Sequence, residues 1–249
     1  MNENYRHKQL LNLLDERKML STTDIIELLQ ISPATARRDI NKLSEQGRLR
    51  KVRNGAESLK RDNILKFNQI TINNADEKRR IAEAAANLCQ DGDSLILTCG
   101  STMLMLSNSL CGKDLQIITN FLPLANHLIE HDHGNVVIMG GQYNKNQAIT
   151  LSLNQNDQVP YSANIMFTSG KGFTVDGLYK SDMLIANSEQ KMIPNVDKLV
   201  VLLDSKKLGK RAGMLFSELK QIDILITGKE ADPEIIEQLK QKGLEIILV

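Results

Sequence analysis

A basic segment between Ala34 and Arg53 is the first part of this sequence whose residue types suggest chemistry. It holds seven Lys and Arg residues against two acids, Asp39 and Glu45. Guanidinium and ammonium groups bind phosphate oxygens through charge-assisted hydrogen bonds. Because runs of charge are usually solvated surface, the bases alone leave two alternatives open, a nucleic-acid ligand and the charged face of a small helical bundle.

A second set of polar residues follows short apolar runs farther along the chain. Backbone amides and lysine suit a phosphate group, whereas Asn and Asp suit hydroxyl groups. Each residue is a weak signal alone, and their common position after the runs predicts a site for a phosphorylated polyol. The candidate residues are Gly100, Ser101, Thr102, Thr119, Asn120, Gly140, Gly141, Gly170, Lys171, Asp204 and Lys206.

Three helices are predicted to position the basic segment. Apolar residues at helical spacing predict a first helix over Tyr5–Lys18, and a short second helix follows the capping residues at 21–24. Ser32 can cap a third helix, which begins at Pro33, reaches about Gln46 and stops at Gly47. The face of this helix that must be buried carries Ala36, Ile40 and Leu43.

The segment after the third helix is typical of a basic β-hairpin. Asn54-Gly55 is a favoured two-residue turn, because both positions tolerate positive φ. The helices and this hairpin together predict a winged helix-turn-helix whose third helix lies in the major groove of double-stranded DNA. Asp39 is expected to fix a neighbouring arginine. The residues expected to contact DNA are Ser32, Thr35, Arg37, Arg38, Asn41, Lys42, Arg50, Lys51, Arg53 and Asn54.

The longer C-terminal region is typical of alternating strands and helices. Continuous runs of Ile, Leu and Val predict strands that are buried on both faces. Their alternation with helical segments predicts a mostly parallel α/β sheet, in which ligands bind at the carboxyl ends of the strands. The predicted strands are Ser94–Thr98, Gln116–Thr119, Asn135–Met139, Asn164–Thr168, Leu199–Leu203, Ile222–Thr227 and Leu244–Val249.

The charge distribution favours two domains. Residues 1–60 hold 12 Lys and Arg against 8 Asp and Glu, whereas residues 61–249 hold 19 against 22. Residues 59–75 are polar and show no strong period, which predicts a linker. The expected fold class is α/β, with a winged helix-turn-helix at 1–58, the linker at 59–75 and the mostly parallel domain at 76–249.

The composition argues against several classes of protein. A hydrophobic content of 41% and a net charge of +1 fit an ordinary globular core. No apolar run has the length of a membrane span, and the polar start lacks the apolar stretch of a signal peptide. Three cysteines are too few for a disulfide framework, so we expect a cytoplasmic protein. His127, His131 and His133 have no cysteine near them in sequence, so we expect neither a metal nor a cofactor.

Motifs in both regions make the sequence similar to a known family. Ile31-Ser32-Pro33-Ala34-Thr35-Ala36-Arg37-Arg38-Asp39-Ile40 resembles the N-terminal domain of DeoR-type sugar-operon repressors. The effector domain of that family, which is similar to ribose-phosphate isomerases and CoA transferases, is resembled by Asp76-Glu77-Lys78, Gly100-Ser101-Thr102, Thr119-Asn120, Gly140-Gly141 and Asp204-Ser205-Lys206. The resemblance implies a repressor that a phosphorylated sugar releases from its operator.

Three further segments are similar to a subgroup of this family, the regulators of L-ascorbate utilisation. They lie at 140–145, 168–172 and 211–216. The similarity implies L-ascorbate 6-phosphate as the effector. In the wing, Arg53-Asn54-Gly55-Ala56 stands where the family commonly has His-Gly-Gly-Ala, a departure that bears on the contacts of the wing and leaves the fold unchallenged.

Two other classes of function remain open from the sequence. The α/β domain could isomerise a sugar phosphate, with Glu189 as base, Lys206 on the phosphate and Lys191 as another candidate. It could also be an oligomerisation module without a ligand. Since fold similarity does not confer activity and a DNA-binding domain is predicted beside it, we expect a homo-oligomeric repressor, a dimer or higher, rather than an enzyme.

Overall fold

The computed structural model describes residues 3–17, 19–58, 73–152 and 161–249. The chain divides into two compact units, Met1–Asn63 and Ile64–Val249. Most of the predicted linker, residues 59–72, lies outside the described residues. Each unit has its own hydrophobic core, so each is described by itself.

The N-terminal unit contains three helices and a three-stranded sheet. Ser21 caps the second helix through a reciprocal pair of hydrogen bonds with Asp24, and Ser32 caps the third by accepting from the Thr35 amide. The Ser32 cap confirms where the sequence predicts the third helix to begin, whereas the second helix begins at Thr22, inside the predicted capping segment. The elements are α1 (Glu3–Arg17), β1 (Met19–Ser21), α2 (Thr22–Leu29), α3 (Pro33–Glu45), β2 (Leu49–Val52) and β3 (Gly55–Ser58).

The wing differs from the prediction in its turn and in its number of strands. The two turn residues are Arg53 and Asn54, with Asn54 at φ 64°, whereas Gly55 is the first residue of β3. The prediction of an Asn54-Gly55 turn is therefore wrong by one residue. The cause is β1, which the sequence did not predict: it pairs with β3, and a Cβ on Gly55 would lie 2.2 Å from the Leu20 carbonyl oxygen.

The C-terminal unit is built on a parallel sheet of seven strands, which confirms the predicted fold class. These strands are β4 (Ser94–Leu97), β5 (Gln116–Thr119), β6 (Val136–Ile138), β9 (Ala163–Thr168), β12 (Val196–Leu202), β14 (Ile224–Thr227) and β15 (Glu245–Leu248). Each of them overlaps one predicted from its apolar run. The order across the sheet is β15-β14-β12-β9-β4-β5-β6, and every neighbouring pair is parallel.

Helices pack on this sheet and enclose two apolar clusters. They are α4 (Ala75–Ala86), α5 (Ser101–Leu110), α6 (Leu122–Glu130), α7 (Met183–Gln190) and α8 (Pro233–Gln241). One cluster packs α4 and α5 against the sheet, and the other includes α8. Within the described ranges, no helix has the length and apolar character needed to cross a lipid bilayer.

Five short strands of the C-terminal unit were not predicted. They are β7 (Gln142–Asn144), β8 (Ile149–Leu151), β10 (Gly172–Thr174), β11 (Gly177–Lys180) and β13 (Met214–Glu218). The first two form an antiparallel pair, and the other three form a sheet of order β10-β11-β13. These strands lack the continuous run of Ile, Leu and Val from which the strands of the parallel sheet were predicted.

Candidate functional sites

The third helix of the N-terminal unit has two chemically distinct faces. Ala36, Ile40 and Leu43 are buried against the other helices and the wing. The opposite face carries the polar side chains predicted to meet DNA. Its exposed members are Arg37, Arg38, Asn41 and Lys42, with Thr35 half-buried near the start of the helix.

The basic side chains on this surface differ in their partners. Among the residues that the structure describes, the side chains of Arg37, Arg38 and Arg53 form no hydrogen bond or ion pair. Lys42 is paired with Glu3 at 2.5 Å, and Arg50 is paired with Glu57 on the neighbouring strand of the wing. The unpaired arginines have long, exposed side chains, and no carboxylate in the described ranges neutralises their charge. Their guanidinium groups are therefore available to contact phosphates or base edges.

The wing is joined to the third helix by a polar contact. The Lys51 ammonium donates to the Asn41 side-chain oxygen across 2.8 Å. Both side chains are exposed, so both remain within reach of a ligand that covers this surface. The contact brings one predicted DNA-contacting residue of the third helix and one of the wing into a single patch.

Asp39 is buried on the inner side of the third helix. Arg6 of α1 donates two hydrogen bonds to its carboxylate at 2.5 and 3.0 Å, and the His7 ring lies 3.1 Å away. Burial raises the pKa of Asp39, but the bonds from Arg6 and His7 outweigh it and hold that pKa below its ordinary value. Asp39 thus fixes an arginine, though one on α1 and not a neighbour along α3.

Two predicted DNA-contact hydroxyls are already used at the start of α3. The Ser32 hydroxyl accepts from the Thr35 amide at 3.2 Å and lies 2.9 Å from the Thr35 hydroxyl. The pair forms the cap that fixes where the helix begins. Ser32 is exposed, so a ligand on this surface can reach it.

In the C-terminal unit, a lysine-rich group of polar side chains lies at the carboxyl ends of the central strands. Its members are Asn74, Glu77, Lys78, Lys171, Asp204, Lys206 and Lys207. Lys78, in the first turn of α4, is 6% exposed and donates to the Ser101 hydroxyl at 3.1 Å. Ser101 opens α5, directly after Gly100, whose φ of 132° is open to glycine alone without strain. The amides of this helix N-terminus add positive potential beside the ammonium group.

The electrostatics of Lys78 indicate an excess of positive charge. Burial lowers its pKa most, and the positive charges of Lys207 and Lys171 lower it further, against raising effects from Asp204 and Glu77. An anion placed among these lysines would offset this repulsion. The group is therefore electrostatically suited to a small anion.

The two carboxylates of this group are held by other contacts. Asp204 accepts from Asn74 at 3.2 Å and pairs with Lys207 at 3.0 Å. Glu77 accepts from the Ser205 amide at 2.6 Å, which fixes the loop that follows β12. Lys206, the predicted phosphate ligand in this loop, instead donates to Asn74 at 2.9 Å and is exposed.

The predicted residues at the ends of β5 and β6 have mixed roles. The Thr119 hydroxyl is buried and bonded to backbone, donating to Leu97 and accepting from the Phe121 amide. Asn120 donates to the Thr150 carbonyl at 3.0 Å, but its buried side-chain oxygen has no hydrogen-bond partner within the described part of the chain. Gly141 is required by packing, because a Cβ there would lie 2.1 Å from the Leu151 carbonyl oxygen.

The remaining predicted glycines and hydroxyl differ in the space around them. A Cβ on Gly140 would meet no atom within 4 Å, which leaves that backbone open to a ligand. A Cβ on Gly170 would lie 2.5 Å from the Tyr179 carbonyl oxygen, so packing explains this glycine. Thr102 is buried in the first turn of α5.

A buried polar network lies beneath the ends of β4 and β9. Lys180 pairs with Glu189, donates to the Thr168 hydroxyl at 2.7 Å and lies 4.2 Å from the centre of the Phe216 ring. Glu189, the possible catalytic base, is 1% exposed. The Cys99 thiol lies 3.8 Å from Glu189, and burial raises its pKa to about 12, so it is a neutral thiol near pH 7.

Sequence reasoning missed four members of the lysine-rich group. Asn74, Glu77 and Lys78 precede the sheet, so a search restricted to residues after strands could not select them. Lys207 follows Lys206 directly, but only the fold shows which of the two approaches Lys78. The one available signal was the Asp76-Glu77-Lys78 motif, which marks the start of α4.

Comparisons with known proteins agree with this two-part organisation. The model of the DeoR-like helix-turn-helix domain matches residues 6–62, and that of the DeoR C-terminal sensor domain matches residues 73–229. Proteins named HTH-type transcriptional regulator UlaR, from Salmonella arizonae and Shigella sonnei, are each 54% identical to this chain over 251 residues. The alignments cover 100% of this chain and 100% of each relative.

Among solved structures, the similarity is lower. Ribose 5-phosphate isomerase A from Methanocaldococcus jannaschii is 21% identical with a TM-score of 0.40, covering 55% of each chain. The eIF2B delta structure from Chaetomium thermophilum is 16% identical with a TM-score of 0.42, covering 55% of this chain and 50% of that one. Nothing about function follows from likeness of this size.

The family models span both units, and the relatives match along their whole length. The geometry agrees with them, since one unit presents a helix-turn-helix with a wing and the other a polar group at the ends of parallel strands. This chain belongs to the DeoR family of HTH-type transcriptional regulators.

Proposed function

We propose that this chain is a DNA-binding repressor of an L-ascorbate utilisation operon, and that L-ascorbate 6-phosphate releases it from its operator. The identity of 54% to the UlaR regulators supports the transcriptional role. The motifs at 140–145, 168–172 and 211–216, which resemble ascorbate regulators, support the choice of effector. Operator DNA is the partner, so the site of action is the cytoplasm.

The observation that carries the DNA-binding role is the unpaired arginine surface of α3. Arg37 and Arg38 are exposed on a helix whose other face is fixed by the core, so a duplex can approach them without rearranging the domain. Base contacts from this helix would specify the operator, and phosphate contacts from the wing would position the protein. The remaining proposed contacts are Ser32, Thr35, Asn41, Lys42, Arg50, Lys51, Arg53 and Asn54.

The lysine-rich group supports a phosphorylated effector. Four lysines, Lys78, Lys171, Lys206 and Lys207, stand against two carboxylates, Glu77 and Asp204. The surplus of two positive charges matches a phosphate monoester, which carries roughly −1.5 to −2 at neutral pH. Asn120 adds a buried acceptor without a partner among the described residues, which a sugar hydroxyl could satisfy.

The other effector contacts that we propose lie around this group. The opening of α5 at Gly100, Ser101 and Thr102 offers backbone amides to the phosphate. Gly140 gives the sugar access to backbone, and Asp204 accepts a hydroxyl. Thr119, Gly141 and Gly170 would shape this end of the sheet from within.

Release of DNA requires that the effector bind one arrangement of the DNA-binding units more tightly than another. Coupling of this kind is typically about 1–3 kcal/mol. A dimer or higher oligomer would present two such units to half-sites about one helical turn, or a multiple, apart. A monomeric mass on and off DNA at working concentration would contradict the oligomer.

The decisive experiment measures DNA release by the full chain. An operator selected from random duplexes is labelled, and binding is followed by fluorescence anisotropy at fixed salt. L-ascorbate 6-phosphate should weaken binding about 5- to 150-fold, whereas unphosphorylated L-ascorbate should not. Release by other hexose phosphates but not by L-ascorbate 6-phosphate would agree with the repressor function and contradict the proposed identity of the effector. Failure to select any duplex would reject the repressor.

We further propose that the C-terminal unit has no isomerase activity. A general base must reach the proton that it removes, and Glu189 is 1% exposed and paired with Lys180. Turnover of pentose phosphates or of L-ascorbate 6-phosphate, lost in a Glu189→Gln variant, would overturn this proposal.

A further inference from the structure

A second cluster of possible ligands lies in the C-terminal unit, outside the lysine-rich group. Cys111, His127 and His131 each offer one ligand atom, and these atoms lie within 4.8 Å of one another. Cys111 is the residue at the end of α5, and both histidines belong to the last turn of α6 or its cap. The tertiary fold thus brings a thiol and two imidazoles to the same ends of two packed helices.

The two histidines are arranged as metal ligands commonly are. They stand four residues apart, so they share one face of α6, and their ring centres are 4.2 Å apart. The His131 Nδ1 lies 2.8 Å from the His127 carbonyl oxygen, which orients the ring and leaves Nε2 for another partner. His133 is separate, since its Nε2 lies 2.9 Å from the Leu115 carbonyl oxygen.

We infer that Cys111, His127 and His131 form a binding site for one divalent ion of the zinc class, with water as the fourth ligand. One sulfur and two nitrogens are a donor set that zinc uses. Ligand atoms around a tetrahedral zinc ion lie about 3.3–3.6 Å apart, given bond lengths of about 2.0–2.3 Å. The observed 4.8 Å limit is closed by side-chain rotation, for which the exposed His131 has room.

The surroundings favour a cation at this place. Both α5 and α6 end here, and helix C-termini carry partial negative charge. His127 is buried, and zinc binds the neutral form of imidazole. Zinc binds the thiolate form of cysteine, so the ion must displace the Cys111 thiol proton as it binds.

The site would connect two helices that pack in the core of the C-terminal unit. Since α5 has ten residues, its metal-binding end lies about 15 Å from Ser101 at its other end. A metal ion held there would stabilise the folded unit without occupying the lysine-rich group. This inference stands on different residues from the proposed function, so either can fail alone.

Cobalt binding to the full chain tests the donor set. Chelator-treated protein should bind one Co²⁺ per chain, giving a thiolate-to-cobalt charge-transfer band and the intense visible bands of tetrahedral coordination, which Zn²⁺ should remove. Cys111→Ser should lose the charge-transfer band. Cys89→Ser is the matched control, because Cys89 is also half-buried and also donates to a carbonyl one turn back. A band that Cys111→Ser retains would overturn the inference.

Thermal unfolding supplies an independent measurement. At a hundredfold excess of free Zn²⁺ over its dissociation constant, the melting temperature of the wild-type chain should rise by about 5–10 °C. His131→Gln should melt like the wild-type chain without metal, since His131 is exposed, and should lose the zinc-dependent rise. An equal rise in His131→Gln would overturn the site.

Discussion

Both units carry clusters of basic side chains, but these clusters differ in their exposure to solvent. On the N-terminal unit, Arg37 and Arg38 extend into solvent and form no ion pair among the described residues. In the C-terminal unit, Lys78 is buried and lies close to other lysines and to carboxylates. Positive charge is therefore exposed on the surface of the N-terminal unit and partly buried in the lysine-rich group of the C-terminal unit.

The difference in burial indicates a difference in ligand. Exposed arginines on a helix keep their hydration until a large polyanion covers them, and binding of that kind is strongly salt-dependent. A buried ammonium such as Lys78 has already lost water, so its pKa is lowered and a single small anion can restore its charge balance. Burial, rather than the number of bases, separates a candidate DNA surface from a candidate phosphate site.

The largest expected effect is a loss of stability in the N-terminal unit when a buried carboxylate is removed. Asp39→Asn removes the buried negative charge that Arg6 and His7 face, which should destabilise the N-terminal unit by about 3–5 kcal/mol. Hydrogen exchange of α1 and α3 in the full chain measures it, with exchange in the C-terminal unit unchanged. Glu45→Gln, at the end of α3, should change stability by less than about 0.5 kcal/mol.

The same carboxylate predicts a pH dependence. The folded pKa of Asp39 is lower than its ordinary value, so its contribution to stability is fully present above about pH 4 and is lost as pH falls through the folded value. Exchange protection of α1 and α3 in the wild-type chain should therefore decline more steeply below about pH 4 than in Asp39→Asn. Parallel declines in the two proteins would contradict the assignment.

The second-largest expected effect tests the lysine-rich group as the binding site of the sugar phosphate. Lys78→Met should weaken binding of the sugar phosphate by roughly 10- to 100-fold, because a charge-assisted hydrogen bond is lost. Without ligand, the melting temperature should stay equal or rise, since a desolvated charge is replaced by an apolar chain. Calorimetric titration measures the affinity, and Lys242→Met, an exposed lysine after α8, serves as control. Unchanged affinity would remove Lys78 from the site.

The third-largest expected effect tests whether the exposed face of α3 recognises the base sequence of the operator. Arg38→Ala should cost about 1–3 kcal/mol on the selected operator and little on a scrambled duplex, if its guanidinium binds a guanine edge. Anisotropy on both duplexes measures this difference, with Lys8→Ala, an exposed base on α1, as the control. Equal losses on both duplexes would make Arg38 a phosphate contact.

The smallest expected effect concerns the wing. Lys51→Ala should weaken binding to all duplexes alike and reduce the slope of log affinity against log salt by about 1. Its loss also leaves Asn41 without the 2.8 Å contact from Lys51. Measurement at several salt concentrations separates these outcomes, because a change confined to the selected operator would point to Asn41 rather than to lost phosphate binding.

The positions of individual elements were predictable where the signal is local. Ser21 and Ser32 cap the helices that the sequence predicts, because a cap depends on residues within one helical turn. The wing turn was misplaced because pairing with β1, distant in sequence from Gly55, outweighs the local preference of Asn-Gly. The candidate effector residues were predicted from the rule that ligands bind at the carboxyl ends of parallel strands, so Asn74 and Lys78, which follow no strand of the sheet, were missed.

The sequence by itself determined the two regions, the helix-turn-helix, the seven parallel strands and the placement of bases near the N-terminus, because apolar period, caps and charge are properties of nearby residues. The tertiary structure alone decided that Asp39 meets Arg6, that Lys78 lies beside Ser101, and that Cys111 approaches His127 and His131. Such contacts join distant parts of the chain, and their partners are chosen by the packing of whole helices and strands rather than by spacing along the chain.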